Sequence, residues 1–410
     1  MAKLRLVVGR DTRQSGPMLE GALVSGALSA GADVFAVGVL PTPGIAHLTR
    51  HLDAHGGVVI SASHNPFEDN GIKIFSSTGA KFPDAWEDEI ENRLALADSA
   101  PKPTGAEVGR LVPHRHASES EYAAHALGTV AIDLRGLHIV LDCANGATYR
   151  VAPRVFETLG ARVTVLGAEP DGQNINLDCG ALHPEGVQER VRATGADLGL
   201  AFDGDGDRLI CVDDQGEVRD GDYVLAVCAR HLAAADRLRG GVLVTTVMAN
   251  LGLEHSLQQA GIRTVKTQVG DRYVLEEMVR IGANLGGEQS GHIVFADLAT
   301  TGDGVLTGLI VGDLVARRGV ALSTLAASMT RLPQVLVNVP VRRKPPLESI
   351  EGLAAREKAL QGRLDGAGRI LLRYSGTELL ARVMVEGQEQ DEIEKIAHEL
   401  AGIIRGAIGQ

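Results

Sequence analysis

The sequence has few of the residues that mark several large classes of protein. Only 3% of its 410 residues are aromatic, and 40 lysines and arginines face 52 aspartates and glutamates, a net charge of −12. An acidic surplus argues against a surface for nucleic acid or anionic membranes. The four cysteines form no C-x-x-C pair and have no histidine-rich partner spacing. Zinc motifs and a disulfide framework are therefore excluded, and we expect buried reduced thiols.

Long hydrophobic runs are also missing. No uncharged apolar stretch reaches the roughly 18 residues of a membrane-spanning helix, and the N-terminal apolar run is too short for a signal peptide. We therefore predict a cytoplasmic protein without a membrane partner. Glycine, in contrast, is abundant at 50 residues and follows no collagen-like period, which indicates many tight turns and backbone-lined sites. The sequence does not decide between a monomer and a homodimer.

The main structural signal is an internal repeat of a strand, a helix and two further strands. The predicted strands are residues 4–9, 33–39 and 57–60 in the first copy, 138–142, 162–166 and 196–202 in the second, and 242–247, 263–266 and 283–285 in the third. Short apolar runs that alternate with helical stretches predict βαβ units and mostly parallel sheets. Because ligands bind beyond the carboxyl ends of such strands, the loop after the third strand of each copy is a candidate site.

We predict an α/β protein with three similar αβα-sandwich domains that have mixed, mostly parallel sheets, and a small C-terminal α+β domain, around one central cleft. The predicted domains are residues 1–115, 116–218, 219–331 and 332–410. The second and third copies each follow an apolar helical stretch, and the first does not. We therefore expect the first domain to lack a leading segment.

An acidic loop follows the third strand of the second copy. Asp203, Asp205 and Asp207 alternate with glycines and precede Arg208. Carboxylates this close repel each other by roughly 4 kcal/mol per pair at ~4 Å and an effective dielectric constant of ~20, and a divalent cation relieves that repulsion. Oxygen-only ligands favour Mg²⁺ or Ca²⁺, and the residues of a calcium-binding EF-hand loop are absent, which favours Mg²⁺. The alternative is an acidic surface turn.

A serine loop follows the third strand of the first copy, where residues 61–66 read Ser-Ala-Ser-His-Asn-Pro. A serine is a weak nucleophile unless it is activated, but a phosphorylated Ser63 would supply an oxygen ligand that the aspartates lack. His64 flanks it, and Lys73 is a candidate cation or proton carrier. The alternatives are a turn whose polar side chains bind only backbone groups, and a solvated lysine.

Two further loops are polar and rich in glycine. Arg373, Ser375, Gly376 and Thr377 lie between two strands, where an arginine fork, hydroxyl groups and backbone N–H groups suit a phosphate monoester. Glu288, Gln289, Ser290 and His292 would suit sugar hydroxyls. Arg10 and Arg13, beyond the first strand, are candidates for additional positive charge. Each loop taken alone is also compatible with an ordinary turn.

In chain order, four loops resemble the signature loops of the α-D-phosphohexomutase family: residues 61–66, 203–208, 287–292 and 373–378. The resemblance covers essentially the whole chain. It is closest to the bacterial branch that acts on glucosamine phosphates, through residues 143–148, 174–176 and 269–273. Family members begin with a strand and a helix that we expect to be missing from the first domain.

The resemblance implies an isomerase that interconverts glucosamine 6-phosphate and glucosamine 1-phosphate through a bisphosphate, and so supplies UDP-N-acetylglucosamine synthesis. It implies that Ser63 carries a phosphoryl group and that one Mg²⁺ per chain is held by Ser63, Asp203, Asp205 and Asp207. A hexose bisphosphate is the implied activator. The alternatives are a sibling mutase for mannose or glucose phosphates, or a catalytically silent homologue that binds metal.

The same resemblance assigns roles to the remaining polar residues. Arg208 would neutralise charge at the transferred phosphoryl group, and Lys73 or His64 would act as the general acid and base. The substrate would be bound by Arg13, Glu288, Ser290, His292, Arg373, Ser375, Gly376 and Thr377.

Overall fold

The computed structural model describes residues 3–94, 103–130, 133–364, 366–375 and 378–410. The chain divides into two compact units. The larger unit contains Met1–Met248 and Ala260–Ser328, and the smaller contains Ala249–Gln259 and Met329–Gln410. Each helix in the described ranges is too short or too polar to cross a membrane.

The first sheet of the larger unit has the strand order β4-β3-β1-β2-β5, and β4 alone runs antiparallel to its neighbour. Its strands are β1 (Arg5–Arg10), β2 (Asp33–Val39), β3 (Gly56–Ile60), β4 (Ile72–Ser76) and β5 (Leu111–Pro113). Its helices are α1 (Gly16–Ser29), α2 (Thr42–His51) and α3 (Asp84–Leu94). Val8, Val34 and Ile60 form its core with apolar residues of α1, because alternate strand residues face the same side of the sheet.

The second sheet has the order β10-β9-β8-β6-β7, with β6, β7 and β8 parallel and β9 and β10 antiparallel. Its elements are α4 (Arg115–Thr129), β6 (His138–Asp142), α5 (Val151–Thr158), β7 (Arg162–Leu166), α6 (Glu185–Thr194), β8 (Leu198–Phe202), β9 (Leu209–Val212) and β10 (Val218–Arg219). Strands β6 and β8 are buried along their whole length, which is why they appear as continuous apolar runs.

The third sheet has the order β12-β11-β13-β14, and β14 is antiparallel. The elements of this region are α7 (Gly221–Ala234), β11 (Val242–Thr246), β12 (Arg263–Thr267), α9 (Asp271–Ile281), β13 (Leu285–Gly287), β14 (Ile293–Phe295), α10 (Gly304–Arg318) and α11 (Leu322–Ala326). Between β11 and β12 the chain forms α8 (Leu251–Gln259), which belongs to the smaller unit. Met278 on α9 packs with Val244 of the sheet.

The smaller unit has an antiparallel sheet of order β15-β17-β16. Its further elements are β15 (Gln334–Pro340), α12 (Leu353–Arg363), β16 (Arg369–Tyr374), β17 (Leu380–Glu386) and α13 (Gln390–Ile408). Ile396, Leu400 and Ile404 lie at helical spacing on α13 and pack in one cluster with Val383 of β17.

The predicted fold class, α/β with mixed, mostly parallel sheets and a small C-terminal sheet domain, is confirmed, whereas the four domain boundaries stay a prediction. In each of the three sheets the third parallel strand is followed by a strand that returns antiparallel beside it: β4 after β3, β9 after β8, and β14 after β13. The sequence analysis missed these return strands. They place the serine loop, the acidic loop and residues 288–292 at equivalent hairpin connections.

Candidate active site

Ser63 lies in the loop between β3 and β4, called here the serine loop (residues 61–70). Its hydroxyl donates to Asp203 Oδ2 at 2.6 Å across 140 positions of sequence, and its side chain is buried. The backbone N–H of Ser63 donates to Ser61 Oγ at 2.9 Å. His64 Nδ1 lies 3.4 Å from Ser63 Oγ. The structure therefore brings together the two loops that the sequence analysis expects to meet.

Asp203, Asp205 and Asp207, called here the acidic cluster, are buried, and one oxygen from each lies within 4.8 Å of the others. The alternating glycines allow close packing, because a Cβ at position 204 would come within 2.6 Å of the Ser63 carbonyl oxygen. In the part of the chain that the structure describes, Asp205 Oδ1 and Asp207 Oδ1 are buried without a hydrogen-bond partner. Unpartnered oxygens in an all-oxygen cluster fit a hard divalent cation such as Mg²⁺.

The three carboxylates differ in their electrostatic surroundings. Burial, together with the charges of Asp207 and Asp205, raises the pKa of Asp203 well above its usual value. Burial acts in the same direction on Asp207, but Lys73 and His292 outweigh it and hold the pKa of Asp207 well below its usual value. Negative charge in the free protein is therefore best accommodated on the side of the cluster that faces these two residues.

Two cationic side chains contact the acidic cluster. Lys73 Nζ on β4 donates to Asp205 Oδ2 at 2.5 Å and to Asp207 Oδ2 at 3.3 Å. Burial opposes its charge, but these carboxylates raise its pKa above the usual value, so Lys73 is protonated at neutral pH. Arg208 Nε lies 3.9 Å from Asp207 Oδ1, and among the described residues this buried nitrogen has no hydrogen-bond partner.

Helix α2 also contacts the cluster, through a residue that the sequence analysis missed. The Thr42 hydroxyl donates to Asp205 Oδ2 at 2.5 Å, and the Thr42 N–H donates to the Asp205 carbonyl at 2.9 Å. The helix thus presents the positive end of its dipole to an acidic group. The Pro-Thr-Pro sequence at positions 41–43 marks a helix start, but it does not reveal what that start faces.

The sugar loop, residues 287–292 between β13 and β14, is linked directly to the acidic loop. Leu209 N–H donates to the Gly291 carbonyl at 3.0 Å. Glu288 is partly exposed, and its carboxylate accepts from the Gly270 N–H at 3.1 Å, while Ser290 is exposed. Both side chains are therefore accessible to a ligand beside the acidic cluster.

His292 occupies a different environment from the rest of the sugar loop. Its side chain is buried, Nε2 accepts from the Gly302 N–H at 3.1 Å, and Nδ1 lies 3.7 Å from Asp207 Oδ2. Burial lowers the pKa of His292, but Asp207 outweighs this and raises it overall. The geometry gives no support to the prediction that His292 binds substrate, because both ring nitrogens face protein groups.

Arg13 faces protein groups rather than open space. Its side chain is fully buried, and its five N–H groups meet five protein acceptors. Those acceptors are the Asp11 carboxylate and the backbone carbonyls of Ser63, Asn65, Pro66 and Asp69. With every N–H group engaged by protein, the geometry gives no support to the prediction that Arg13 binds substrate.

The C-terminal loop of the smaller unit contains an unusual pair of like charges. Arg373 on β16 lies directly opposite Arg382 on β17, called here the arginine pair. Burial, together with the charge of Arg382, lowers the pKa of Arg373. In the described ranges, neither Nε has a hydrogen-bond partner although both are buried. Facing guanidinium groups repel each other, so this arrangement is suited to an anion.

Ser375 lies beside this pair. Its hydroxyl accepts from Arg382 Nη2 at 3.4 Å, and its carbonyl accepts from Lys344 Nζ at 2.7 Å. The sequence analysis missed Arg382 and Lys344, although the cross-strand register around the Ser-Gly-Thr turn was a signal that could have found Arg382. Gly376 and Thr377, the other predicted phosphate-binding residues of this loop, lie outside the described residues.

The chain matches the phosphoglucomutase/phosphomannomutase family in four segments. These are alpha/beta/alpha domain I over residues 1–100, domain II over 120–216, domain III over 220–332, and the C-terminal domain over 336–403. Two similar curated proteins are named phosphoglucosamine mutase. The one from Desulforudis audaxviator is 54% identical over 97% of this chain and 89% of its own length. The one from Clostridium novyi is 51% identical over 98% and 90%.

Solved structures show the same fold. A phosphoglucomutase/phosphomannomutase family protein from Burkholderia thailandensis has a TM-score of 0.80 and 26% identity, over 98% of this chain and 89% of its own. An N-acetylphosphoglucosamine mutase from Aspergillus fumigatus, solved in complex with GlcNAc-6P and magnesium, has a TM-score of 0.71 and 20% identity, over 96% and 100%.

Proposed function

Because the chain belongs to the phosphoglucomutase/phosphomannomutase family, we propose that it interconverts glucosamine 6-phosphate and glucosamine 1-phosphate. Relatives at 51–54% identity over nearly the whole chain are phosphoglucosamine mutases, so the protein is an isomerase of this kind. This sequence identity supports glucosamine phosphates as the substrates over mannose or glucose phosphates.

One observation carries the chemical part of the proposal: the Ser63 hydroxyl lies 2.6 Å from Asp203, in a cluster where two carboxylate oxygens have no partner among the described residues. The acidic cluster and an oxygen on Ser63 would hold Mg²⁺. The bound cation supplies charge neutralisation at the phosphoryl group. The Aspergillus relative was solved with magnesium and a sugar phosphate, which supports the same cofactor and substrate class for this chain.

In the proposed reaction Ser63 starts as a phosphoserine. The bond from phosphorus to Ser63 Oγ breaks and a bond to O1 of glucosamine 6-phosphate forms, while the O1 proton passes to a base and Ser63 Oγ takes up a proton. The resulting glucosamine 1,6-bisphosphate turns round, and its 6-phosphoryl group passes to Ser63 Oγ, which gives its proton to a base while O6 takes up a proton. Glucosamine 1-phosphate leaves and the phosphoserine is restored, so a hexose bisphosphate can also load a bare serine.

The protein groups around Ser63 suit these transfers. Arg208 Nε lies beside the cluster, has no hydrogen-bond partner within the described ranges, and would donate to a phosphoryl oxygen. Lys73 and His64 are the proposed proton carriers, because Lys73 contacts two carboxylates of the cluster and His64 Nδ1 lies 3.4 Å from Ser63 Oγ. Replacing Lys73 or His64 with glutamine tests each assignment, since loss of the proton carrier should lower kcat by roughly 10²–10⁴-fold.

The substrate contacts are also part of the proposal. Glu288 and Ser290 would hold the sugar hydroxyls in both orientations. Arg373 and Ser375, with Gly376 and Thr377, would bind the phosphate that is not being transferred. The orientation of Arg382 toward Ser375 supports adding it to this set.

A turnover assay tests the proposal, with glucosamine 6-phosphate, Mg²⁺ and a catalytic amount of hexose bisphosphate. We expect Ser63→Ala to abolish conversion while the protein stays folded. The matched control is Ser77→Ala, which removes an exposed hydroxyl from the same domain and should retain full activity. Undiminished isomerisation by Ser63→Ala would refute the assigned nucleophile.

Two comparisons separate the alternatives. The kcat/KM values for the 6-phosphates of glucosamine, mannose and glucose decide which sugar is the substrate, and we expect the glucosamine compound to be preferred. A catalytically silent metal-binding protein would show Mg²⁺-dependent stability without turnover of any of the three.

A further inference from the structure

The backbone at Ser63 has a conformation that serine rarely adopts. Its φ is 52°, in the left-handed region, where an L-residue with a Cβ is disfavoured. Such a conformation persists only when surrounding contacts hold it, and it is often found where a reactive side chain must be oriented. The contacts that hold Ser63 therefore bear on its chemistry.

Arg13 is the first of these contacts. Its Nη2 donates to the carbonyls of Ser63 at 3.0 Å and Asn65 at 2.8 Å, and its Nη1 donates to the carbonyls of Pro66 and Asp69. Asp11 accepts from Arg13 Nε at 2.8 Å, and both side chains are fully buried. A planar fork with five donors can hold several carbonyls at once, which a lysine ammonium cannot do in the same geometry.

Asn176 is the second contact, and it comes from another sheet of the larger unit. Its Nδ2 donates to the Ser63 carbonyl at 2.9 Å and to the Asn65 carbonyl at 3.0 Å. These are the two oxygens that Arg13 Nη2 also binds. Each of the two carbonyls thus accepts one hydrogen bond from the first domain and one from the loop after β7.

We propose that Arg13 and Asn176 are positioning residues for the phosphoryl carrier. By fixing the carbonyls of Ser63 and Asn65 they hold the left-handed backbone, and that backbone directs Ser63 Oγ toward Asp203. The inference rests on the proposed mutase function and adds to it residues that act through the backbone without touching substrate.

The proposed reaction should slow down when Ser63 Oγ is no longer held in this position. Ser63 Oγ gives up a phosphoryl group in one half of the cycle and takes one back in the other, so the same oxygen must stay in line with two different partners. Misplacement of a reacting group by about 1 Å can cost 10²-fold in rate. Because the N–H groups of Arg13 and the Nδ2 group of Asn176 are engaged by the loop, substrate affinity should change little.

The test compares matched pairs of variants. Arg13→Lys keeps the charge beside Asp11 but loses the fork, and Arg192→Lys is its control, because Arg192 also donates to two loop carbonyls, those of Gln215 and Gly216, outside the proposed site. We expect kcat of Arg13→Lys to fall about 30–100-fold with KM for glucosamine 6-phosphate within about threefold of wild type. The control should keep its kcat.

The second pair is Asn176→Gly and Asp178→Gly. Both positions have a left-handed backbone, with φ of 59° and 49°, so glycine fits each without strain, and Asp178 is exposed. We expect Asn176→Gly to lower kcat about tenfold and Asp178→Gly to leave it unchanged. Because Arg13 and Asn176 share acceptors, the double variant should lose less than the product of the two single losses.

Amide hydrogen exchange of the serine loop gives a readout that does not depend on activity. Exchange at residues 63–70 should accelerate in Arg13→Lys and Asn176→Gly and stay unchanged in both controls. Wild-type protein without turnover would contradict the proposed function, while the exchange comparison would still test the loop contacts. Unchanged exchange, or a kcat within threefold of wild type in Asn176→Gly and in any folded Arg13→Lys, would overturn the inference.

Discussion

The acidic cluster and the arginine pair are opposite versions of one arrangement. In the first, Asp203, Asp205 and Asp207 lie together with two carboxylate oxygens unpartnered among the described residues. In the second, Arg373 and Arg382 face each other on two neighbouring strands. The Nε atom of each arginine likewise has no hydrogen-bond partner among the described residues. Like charges that are buried together and incompletely paired are costly in a free protein, so each arrangement identifies the ion that would relieve it.

The two regions differ in how many surrounding protein groups hold their charged side chains in place. The acidic cluster is contacted by Lys73 from β4, by Thr42 from α2 and by the backbone N–H of Arg208 in its own loop. The arginine pair is contacted mainly by its own hairpin, through Ser375 and Glu378. Under the proposed function, this difference predicts that the acidic cluster is held in place before substrate binds, whereas the arginine pair would gain partners from a bound phosphate.

The largest effect should follow from removing one charge of the acidic cluster. Asp207→Asn takes away a carboxylate that pairs with Lys73 and faces His292. Loss of a partner that only orients a metal ligand costs 10–100-fold, so loss of a ligand charge should weaken Mg²⁺ binding and turnover by more than about 100-fold. Calorimetric titration with Mg²⁺ and the turnover assay measure both.

The control for this variant is Asp178→Asn, which changes an exposed carboxylate in the same domain. If Asp207→Asn bound Mg²⁺ as tightly as wild type, the cluster would be held by protein cations alone. Its comparison with the arginine pair would then fail.

A smaller effect is expected at the arginine pair, where the variant removes a positive charge instead of a negative one. Arg382→Met removes a charged donor worth roughly 1.5–3 kcal/mol to an anion, which corresponds to an increase of about 10–150-fold in KM for glucosamine 6-phosphate. Removing one of two facing guanidiniums also relieves repulsion, so the thermal midpoint of the free protein should not fall. Steady-state kinetics and thermal unfolding measure the two effects.

Arg363→Met is the matched control, because it removes a half-exposed arginine paired with Glu392 in the same unit. An unchanged KM in Arg382→Met would show that the arginine pair binds no substrate phosphate. A large drop in thermal midpoint would show that it is a structural element.

Most of the fold could be predicted because it depends on local patterns, and the loops around Ser63 and the acidic cluster stood out for the same reason. The buried strands β6 and β8 appear as apolar runs, and β6 begins and ends at His138 and Asp142 as predicted. The return strands β4, β9 and β14 were missed because they have only three to five residues each and too few positions to show a clear pattern. Pairing with a strand already in the sheet, not propensity, defines them.

What the side chains contact could not be predicted in the same way. An arginine beyond a strand has the same local sequence whether it faces substrate or the carbonyls of a neighbouring loop, and Arg13 proved to face the carbonyls. Thr42 reaches Asp205 across 163 positions of sequence, and Asn176 reaches Ser63 across 113. Contacts of this length are set by how the sheets pack, and periodicity carries no information about them.

The smallest expected effect concerns a third group of crowded side chains, which consists of three histidines. Loss of the charge on one of them relieves their electrostatic repulsion without a bound ion. His47 on α2 stacks against His125 on α4 with ring centroids 3.9 Å apart, and it also stacks against His51 with ring centroids 5.5 Å apart. Burial, then the neighbouring charges of His125, His51 and Arg50, lowers the pKa of His47 to about 4. This crowding therefore favours the neutral form of the His47 ring at neutral pH.

A pH dependence follows from this depressed pKa. Between about pH 6.5 and pH 4 the unfolded chain binds a proton at His47 that the folded protein does not, so stability rises with pH across that window and is lost as the pH falls through it. Replacing His47 with glutamine should make the drop in thermal midpoint between pH 7.5 and pH 5 smaller, by roughly 2 °C or less because the ring is partly exposed. His183→Gln, at an exposed position of the same unit, should keep the wild-type drop. If His47→Gln showed the same drop in thermal midpoint as wild type, His47 would not be the residue responsible for the pH dependence. Packing would then balance the crowding among the histidines.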